Sequence, residues 1–149
     1  MIINQASLKK VCDDVVVDPE LKPHIDSDGK VIETFCNLAT NIISVRLGYD
    51  CFSNMNATQI IQWLQKNGLI LTPDMAVEAA LQGRWVIAGW LNPDPTGHSH
   101  VCTIYPAEMQ ISTTYGGPVP MVANVGESNG IMRLSGAFAK IREPLLYLV

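Results

Sequence analysis

Hydrophobic positions recur at two different spacings along this chain, and the spacing changes near Gly83. Before Gly83, apolar residues recur every three or four positions, as on one face of an α-helix. After Gly83, apolar runs are continuous or alternating and contain many β-branched residues, which is typical of strands. The order predicts an α+β fold in which N-terminal helices pack on a small antiparallel sheet, because the links between strands are too short for helical crossovers.

Two helices are predicted in the first third of the chain. One covers residues 8–17 and ends in a stretch of turn residues. The other covers residues 35–47, with Thr34 as its N-cap and Gly48 as its stop. Apolar residues recur at helical spacing in the second helix, so they are predicted to form its buried face: Phe35, Leu38, Ile42 and Val45.

Two further helices have start signals in their side chains. Asn56 is an N-cap, and Gln59 three residues later completes a capping box for a helix that ends at Asn67. Thr72 caps the next helix, and Pro73 occupies its first position, where a backbone N–H is not needed. The sequence therefore predicts four helices before the strands begin.

Five strands are predicted in the second half. Residues 85–91 form a continuous apolar run that suits a buried central strand, whereas residues 99–105 alternate. The link between them, residues 92–97, has the composition of a loop. The remaining strands are predicted over residues 110–114, 119–125 and 145–149.

Composition and charge narrow the class of protein. The chain has 149 residues, of which 48% are hydrophobic and 16% charged, and this suits one globular domain over residues 1–149. The formal net charge is −4 and there is no block of Lys or Arg, which argues against nucleic acid as a partner. No apolar stretch approaches the roughly 18 residues that a membrane span requires.

The N-terminal sequence predicts no signal peptide. Its two lysines follow a short apolar stretch, which reverses the charged-then-apolar order of a secretory leader. We therefore expect cytoplasmic synthesis, with any export depending on a holin or on a dedicated secretion system.

Four cysteines, at positions 12, 36, 51 and 102, offer the first candidate chemistry. They show no CxxC or zinc-type spacing, and without a signal peptide no disulfide framework is expected, so we interpret them as thiols. Cys36 differs from the others because it falls in the first turn of a predicted helix, where the helix dipole and free N–H groups favour a thiolate. The sequence therefore predicts a lowered pKa and a nucleophilic role for Cys36.

A candidate base lies on the alternating strand. The two-residue period of a strand places His98, His100 and Cys102 on one side of it. His100 is the better base because it lies within the predicted strand, whereas His98 lies beside a loop that contains glycine.

A third polar group is needed to orient the imidazole and to fix its tautomer. Asn124, on a later predicted strand, is our candidate, and Glu127 and Asn129 are alternatives. An asparagine before Val-Gly is equally typical of a turn, and a lone cysteine on a helix is usually a small buried hydrophobe.

Three stretches resemble the NlpC-type and CHAP-type amidases and endopeptidases, papain-like enzymes that cut peptidoglycan peptides. Phe35-Cys36-Asn37 resembles the nucleophile helix of that family, Gly83-Arg84-Trp85-Val86-Ile87-Ala88 resembles its Gly-Asp-Leu-Val strand, and Gly97-His98-Ser99-His100-Val101 resembles its Gly-His-Val strand. The resemblance runs from Phe35 to Gly126, and residues 54–64 resemble a segment of phage-type and effector-type members.

The resemblance implies a fold, a reaction and a set of roles. The fold would be papain-like, with the nucleophile at a helix N-terminus packed on the sheet. Cys36 would be the nucleophile, His100 the general base and then acid, and Asn124 the orienting group, with no cofactor and no metal. The substrate would be an amide bond in a peptidoglycan peptide, cleaved through a Cys thioester. An effector-type member would also have an immunity or inhibitor protein as a partner.

Two other classes of function stay open on the sequence. A zinc hydrolase would use His98 and His100 with a third ligand such as His24, Asp94 or Cys102. The other is a non-enzymatic binding or structural module that kept the fold but not the activity. Arg84 stands where the family usually has an acidic residue, which fits that alternative.

Overall fold

The structure, a computed structural model, describes residues 3–149. Its helices are α1 (Gln5–Val16), α2 (Cys36–Arg46), α3 (Ala57–Asn67), α4 (Pro73–Leu81) and α5 (Leu134–Ala137), with 3₁₀ turns at Pro19–Leu21 and Lys140–Arg142. Its strands are β1 (His24–Ile25), β2 (Val31–Glu33), β3 (Leu69–Leu71), β4 (Val86–Trp90), β5 (His100–Ile104), β6 (Gln110–Ser112), β7 (Gly117–Val119), β8 (Met121–Asn124), β9 (Gly130–Arg133) and β10 (Leu145–Leu148). In the described part of the chain, every helix is too short or too polar to cross a bilayer.

Six strands form the main sheet, in the order β3-β10-β4-β5-β8-β9, and each neighbouring pair is antiparallel. The predicted α+β class with a small antiparallel sheet is therefore confirmed. The two ribbons β1–β2 and β6–β7 lie outside this sheet. The short strands β3 and β9 are not among the strands predicted from the sequence, because their three or four residues show no clear alternation.

Helix starts follow the predicted side-chain caps at α3 and α4. In α3, Asn56 Oδ1 accepts from the Gln59 N–H and Gln59 Oε1 accepts from the Asn56 N–H, both at 2.9 Å. In α4, Thr72 Oγ1 accepts from the Met75 N–H at 3.3 Å. Helix α1 begins earlier than predicted because Asn4 is its N-cap. These caps satisfy N–H groups that would otherwise have no partner.

Helix α2 differs from its prediction at its start. It begins at Cys36, and Phe35 occupies the N-cap position without a side-chain hydrogen bond to the helix. The predicted N-cap Thr34 is therefore wrong. The consequence is that N–H groups at this helix end have no side-chain cap and remain available to another acceptor.

The buried face of α2 also differs from its prediction, since Leu38 and Val45 are 46% and 52% exposed. The side chains that face the interior are instead Ile43 and four small or polar ones: Cys36, Ala39, Thr40 and Ser44. Burial of the polar side chains costs little free energy because their polar atoms have hydrogen-bond partners. Thr40 Oγ1 donates to the Cys36 carbonyl at 2.9 Å, and Ser44 Oγ accepts from the Cys51 N–H at 3.1 Å. Small side chains also let the helix pack closely on the sheet.

A fully buried tryptophan links the helices to the sheet. Trp85 is 0% exposed, and its indole Nε1–H donates to Thr103 Oγ1 on β5 at 3.0 Å. The rings of Tyr49 and Phe52, from the segment after α2, lie 5.2 and 5.7 Å from the Trp85 ring. This cluster fixes the segment between α2 and α3 against the sheet that carries His100.

Gly83 allows the end of α4 to pack against the start of α1. Its φ is +80°, and a Cβ built on it would lie 2.1 Å from the Ile3 carbonyl oxygen. We expect Gly83→Ala to lower the free energy of unfolding by roughly 2 kcal/mol or more, because a left-handed conformation and a backbone clash act together. Gly116→Ala is the matched control, since φ is +76° and nothing lies within 4 Å.

Chemical denaturation of both variants measures the two effects. Gly116→Ala is expected to cost about 1 kcal/mol from the backbone conformation alone. Equal losses in the two variants would show that the contact with Ile3 contributes nothing.

Candidate active site

Cys36 is the first residue of α2, and its side chain is buried, with 7% exposure. Helix α2 packs on β5, the strand that begins at His100. The backbone N–H groups of Cys36, Asn37 and Val101 all act on the Cys36 sulfur. Because Val101 follows His100 directly, the structure places the sulfur beside the N-terminal end of β5.

The thiol of Cys36 is nevertheless held in its neutral form. Burial raises the pKa of Cys36 above its ordinary value, and the N–H groups of Val101, Asn37 and Cys36 oppose this only in part. The lowered pKa predicted from the sequence is therefore wrong. The helix terminus does favour the thiolate, but the loss of water around the sulfur is the larger effect.

His100 is half-buried, and Asn124 holds its ring. The two side chains meet at 2.7 Å between His100 Nε2 and Asn124 Oδ1. Asn124 Nδ2 donates to the Ser128 carbonyl, also at 2.7 Å, and this bond fixes which end of the amide faces the ring. Because Asn124 presents its oxygen, Nε2 must carry the proton, and in the neutral ring Nδ1 is then a free acceptor.

The imidazole of His100 is neutral near pH 7. Burial lowers its pKa, while the hydrogen bond to Asn124 and the charge of Glu127 oppose that fall. A neutral ring whose free nitrogen is Nδ1 can accept a proton there, which is the state that a general base needs.

Three further residues fix the surroundings of the His100 ring. The Phe138 ring lies 5.0 Å from it, centroid to centroid, at a tilted angle. A Cβ built on Gly126 would lie 3.2 Å from His100 Cε1, so only a glycine leaves the ring its present space. Trp90 pairs directly with His100 in the β4–β5 ladder, and side chains of such a pair lie on the same face.

Asn124, Glu127 and Asn129, the three candidates for the orienting group, differ in their contacts with His100. Asn124 is buried and contacts His100, as the sequence predicts for the orienting group. Glu127 is exposed and acts on His100 only through its charge. Asn129 Oδ1 accepts from the Gly126 N–H at 2.9 Å, and it does not reach the ring. His98 is exposed in the loop before β5.

The candidate nucleophile and the candidate base lie on elements that pack together, α2 and β5, but the two side chains are not hydrogen-bonded. Across residues 3–149, the side-chain hydrogen bonds of the site include His100 with Asn124, and none joins the Cys36 thiol to the His100 ring. Catalytic hydrogen bonds are often long before substrate binds and shorten in the complex with substrate.

Three hydrogen bonds fix the segments that flank the site. Asn37 follows Cys36 in the chain, and its Nδ2 donates to the Met55 carbonyl at 3.1 Å. Ser99 Oγ accepts from the Asn92 N–H at 3.0 Å and bonds Thr58 Oγ1 at 2.9 Å. The loop between β4 and β5 is therefore tied to α3 immediately before His100.

The other cysteines are also free thiols, as predicted. Cys12 and Cys102 are buried, and burial raises the pKa of Cys12 to about 12 and the pKa of Cys102 well above its ordinary value. Cys51 is half-buried, and burial raises its pKa as well.

The zinc alternative finds no ligand set in the described part of the chain. Within residues 3–149, no three side chains of His, Cys, Asp or Glu lie close enough together to hold a metal ion. His24 instead pairs with Glu33 at 2.8 Å on the β1–β2 ribbon. The proposed combination of His98 and His100 with a third ligand is therefore not assembled here.

A cavity of about 450 Å³ lies apart from Cys36 and His100. Its lining comes mainly from the β6–β7 ribbon and from the segments around β10, and includes Tyr115, Leu134 and Leu146. Neither the candidate nucleophile nor the candidate base lines it. Cavity volume therefore does not support the candidate site, which rests on side-chain geometry.

No family model matches the chain, and no curated protein matches its sequence. The geometry described above must therefore carry any functional interpretation.

Proposed function

We propose that this protein is a papain-like cysteine amidase or endopeptidase that cleaves amide bonds in peptidoglycan peptides. The observation that carries the proposal is the His100–Asn124 pair at 2.7 Å, which leaves Nδ1 as an acceptor at the end of a strand packed by the Cys36 helix. A buried asparagine that orients a histidine beside a helix-terminal cysteine is the arrangement that a Cys-His-Asn hydrolase needs.

The resting site contains a neutral thiol and a neutral imidazole, and this sets the first step. As Cys36 Sγ attacks the amide carbonyl carbon, its proton passes to His100 Nδ1, and the carbonyl π electrons move to the oxygen. Uncapped backbone N–H groups at the start of α2 stabilise that oxyanion. His100 then gives the proton to the departing amine, and a thioester remains.

Water completes the reaction. His100 Nδ1 takes a proton from the water that attacks the thioester carbonyl, and returns it to the sulfur as the carboxylic acid leaves. Asn124 holds the ring throughout, because Nε2–H donates to its oxygen in both the neutral and the charged state. Phe138 packs against the same ring.

An exposed cation on Trp90, the ladder partner of His100, supports an acidic peptide as substrate. Trp90 lies opposite His100, and the Arg142 guanidinium carbon lies 5.0 Å from the Trp90 ring centroid. Arg142 is exposed, and among residues 3–149 no carboxylate pairs with it. It is therefore free to bind a substrate carboxylate, and peptidoglycan stem peptides carry such groups.

We expect Arg142→Ala to raise KM for a carboxylate-bearing peptide about fivefold and to leave kcat unchanged, because an exposed ion pair contributes up to roughly 1 kcal/mol. The same peptide with its carboxylates amidated should show no difference between the two proteins. Arg46→Ala is the control, since Arg46 is an exposed arginine at the far end of α2. An equal KM increase on both peptides would contradict carboxylate recognition.

Mass spectrometry of digested peptidoglycan tests the proposed function. Purified protein is incubated with cell-wall fragments, and products that gain one water at an amide bond support the proposal. The Cys36→Ala variant is the control for contaminating activity. Fragments that remain intact across several cell-wall types would contradict it.

A non-enzymatic module is the second candidate function. The observations in its favour are the raised pKa of Cys36 and the absence of a bond between Cys36 and His100 among the described residues. Such a module would bind the same fragments without changing their mass.

A further inference from the structure

Asn129 joins the turn after β8 to a distant part of the chain. Its Oδ1 accepts from the Gly126 N–H at 2.9 Å, and its Nδ2 donates to the Leu21 carbonyl at 2.8 Å. Leu21 is buried at the end of the 3₁₀ turn that follows α1. One side chain thus ties the β8–β9 turn to the N-terminal segment.

The same turn fixes two of the contacts of the His100 ring, those with Asn124 and Gly126. Asn124 Nδ2 donates to the Ser128 carbonyl, so the position of Ser128 decides how the Asn124 oxygen faces the ring. Gly126 lies against His100 Cε1, where a Cβ would approach within 3.2 Å. A shift of this turn therefore moves the orienting oxygen and the ring's packing surface together.

We infer that Asn129 is a positioning residue, which sets the tautomer of His100 by holding the turn that carries Ser128 and Gly126. This inference rests on the proposed function for its consequence in catalysis, but its structural effect does not require hydrolysis. Asn129 acts through Asn124 and does not touch the reacting atoms.

The test is the tautomer of His100, read from the ¹⁵N shifts of its two ring nitrogens in labelled protein. The chain has three histidines. His24 and His98 are exposed and serve as internal references. In the wild-type protein, the proton is expected on Nε2. In Asn124→Ala, the Nδ1–H tautomer is expected to appear, and in Asn129→Ala it should appear in the same direction.

Kinetics give the second readout. In Asn129→Ala, kcat should fall about tenfold to a hundredfold with KM nearly unchanged, because a misplaced base affects the chemical step more than binding. Asn67→Ala is the matched control, because Asn67 also donates to a backbone carbonyl, but on the exposed face of α3. It should leave both the tautomer and kcat as they are.

A wild-type tautomer in Asn129→Ala, together with a changed one in Asn124→Ala, would overturn the inference. If Asn129→Ala does not fold, Asn129→Ser is measured in the same way, since its hydroxyl can still accept from the Gly126 N–H. It should show a smaller shift in the same direction, and no shift would again overturn the inference. A protein that hydrolyses nothing but shows these tautomer shifts would contradict the proposed function and support the role of Asn129.

Discussion

Replacing Cys36 with alanine is expected to abolish amide hydrolysis and to leave the fold in place. The reaction proposed above has no other nucleophile, so kcat should fall by about 10⁴-fold or more. The fold should persist because the change removes one sulfur atom from a small side chain, at a cost of roughly 1 kcal/mol. Turnover of a peptidoglycan peptide and a denaturation curve measure the two effects.

Cys51→Ala is the matched control for this experiment. Cys51 is half-buried and its sulfur lies 3.5 Å from Ser44 Oγ, so its removal perturbs packing near α2 without touching the proposed chemistry. It should retain nearly full activity. Loss of activity in Cys102→Ala but not in Cys36→Ala would place the nucleophile elsewhere and contradict the assignment.

Local sequence signals predicted most of the fold, because they reflect interactions within a few residues. The Asn56–Gln59 capping box and the Thr72 cap of α4 require only neighbouring backbone groups, and both formed as predicted. The buried face of α2 could not be predicted in this way. Leu38 and Val45 are apolar at helical spacing but exposed, because α2 packs on the sheet with another face, whose side chains are mostly small.

Only the members of the candidate site that lie on predicted strands could be predicted from the sequence. That period and the order of the strands suggested His100 with Asn124, and the two side chains do bond. Phe138 and Ser128 were missed because neither has a local signal. Phe138 reaches the ring from beyond α5, and Ser128 acts through its backbone carbonyl, which any residue type could supply.

The protonation state of Cys36 could not be predicted from the sequence either. A position in the first turn of a helix indicates a favourable dipole, but the sequence does not show how much water surrounds the sulfur. In the folded chain the side chain is 7% exposed, and burial raises its pKa. In the proposed reaction the proton therefore leaves the thiol during attack, which at neutral pH requires a base.

His100→Ala is accordingly expected to lower kcat/KM about a thousandfold at neutral pH, since a general base contributes roughly 10²-fold to 10⁴-fold. His98→Ala is the matched control because His98 is exposed in the loop two residues earlier. It should change the rate less than about threefold, within the range of surface substitutions. Equal losses in both variants would contradict the assignment of the base to His100.

The pH dependence separates a base from a merely structural histidine. Burial lowers the pKa of His100 below its usual value of about 6.5, and the unprotonated ring is the active form. As pH falls through that pKa, Nδ1 becomes protonated, so wild-type kcat/KM should fall with a midpoint below about 6.5. As pH rises, activity should stay level, because a thiolate formed above the raised pKa of Cys36 needs no base.

The His100→Ala variant should have a different pH profile. The fall in rate that titration of His100 causes should disappear. The residual rate should instead rise about tenfold per pH unit up to the thiol pKa, as thiolate alone becomes the nucleophile. A wild-type midpoint above about 6.5, or a variant whose residual rate keeps the wild-type acid limb, would show that His100 is not the group that accepts the Cys36 proton.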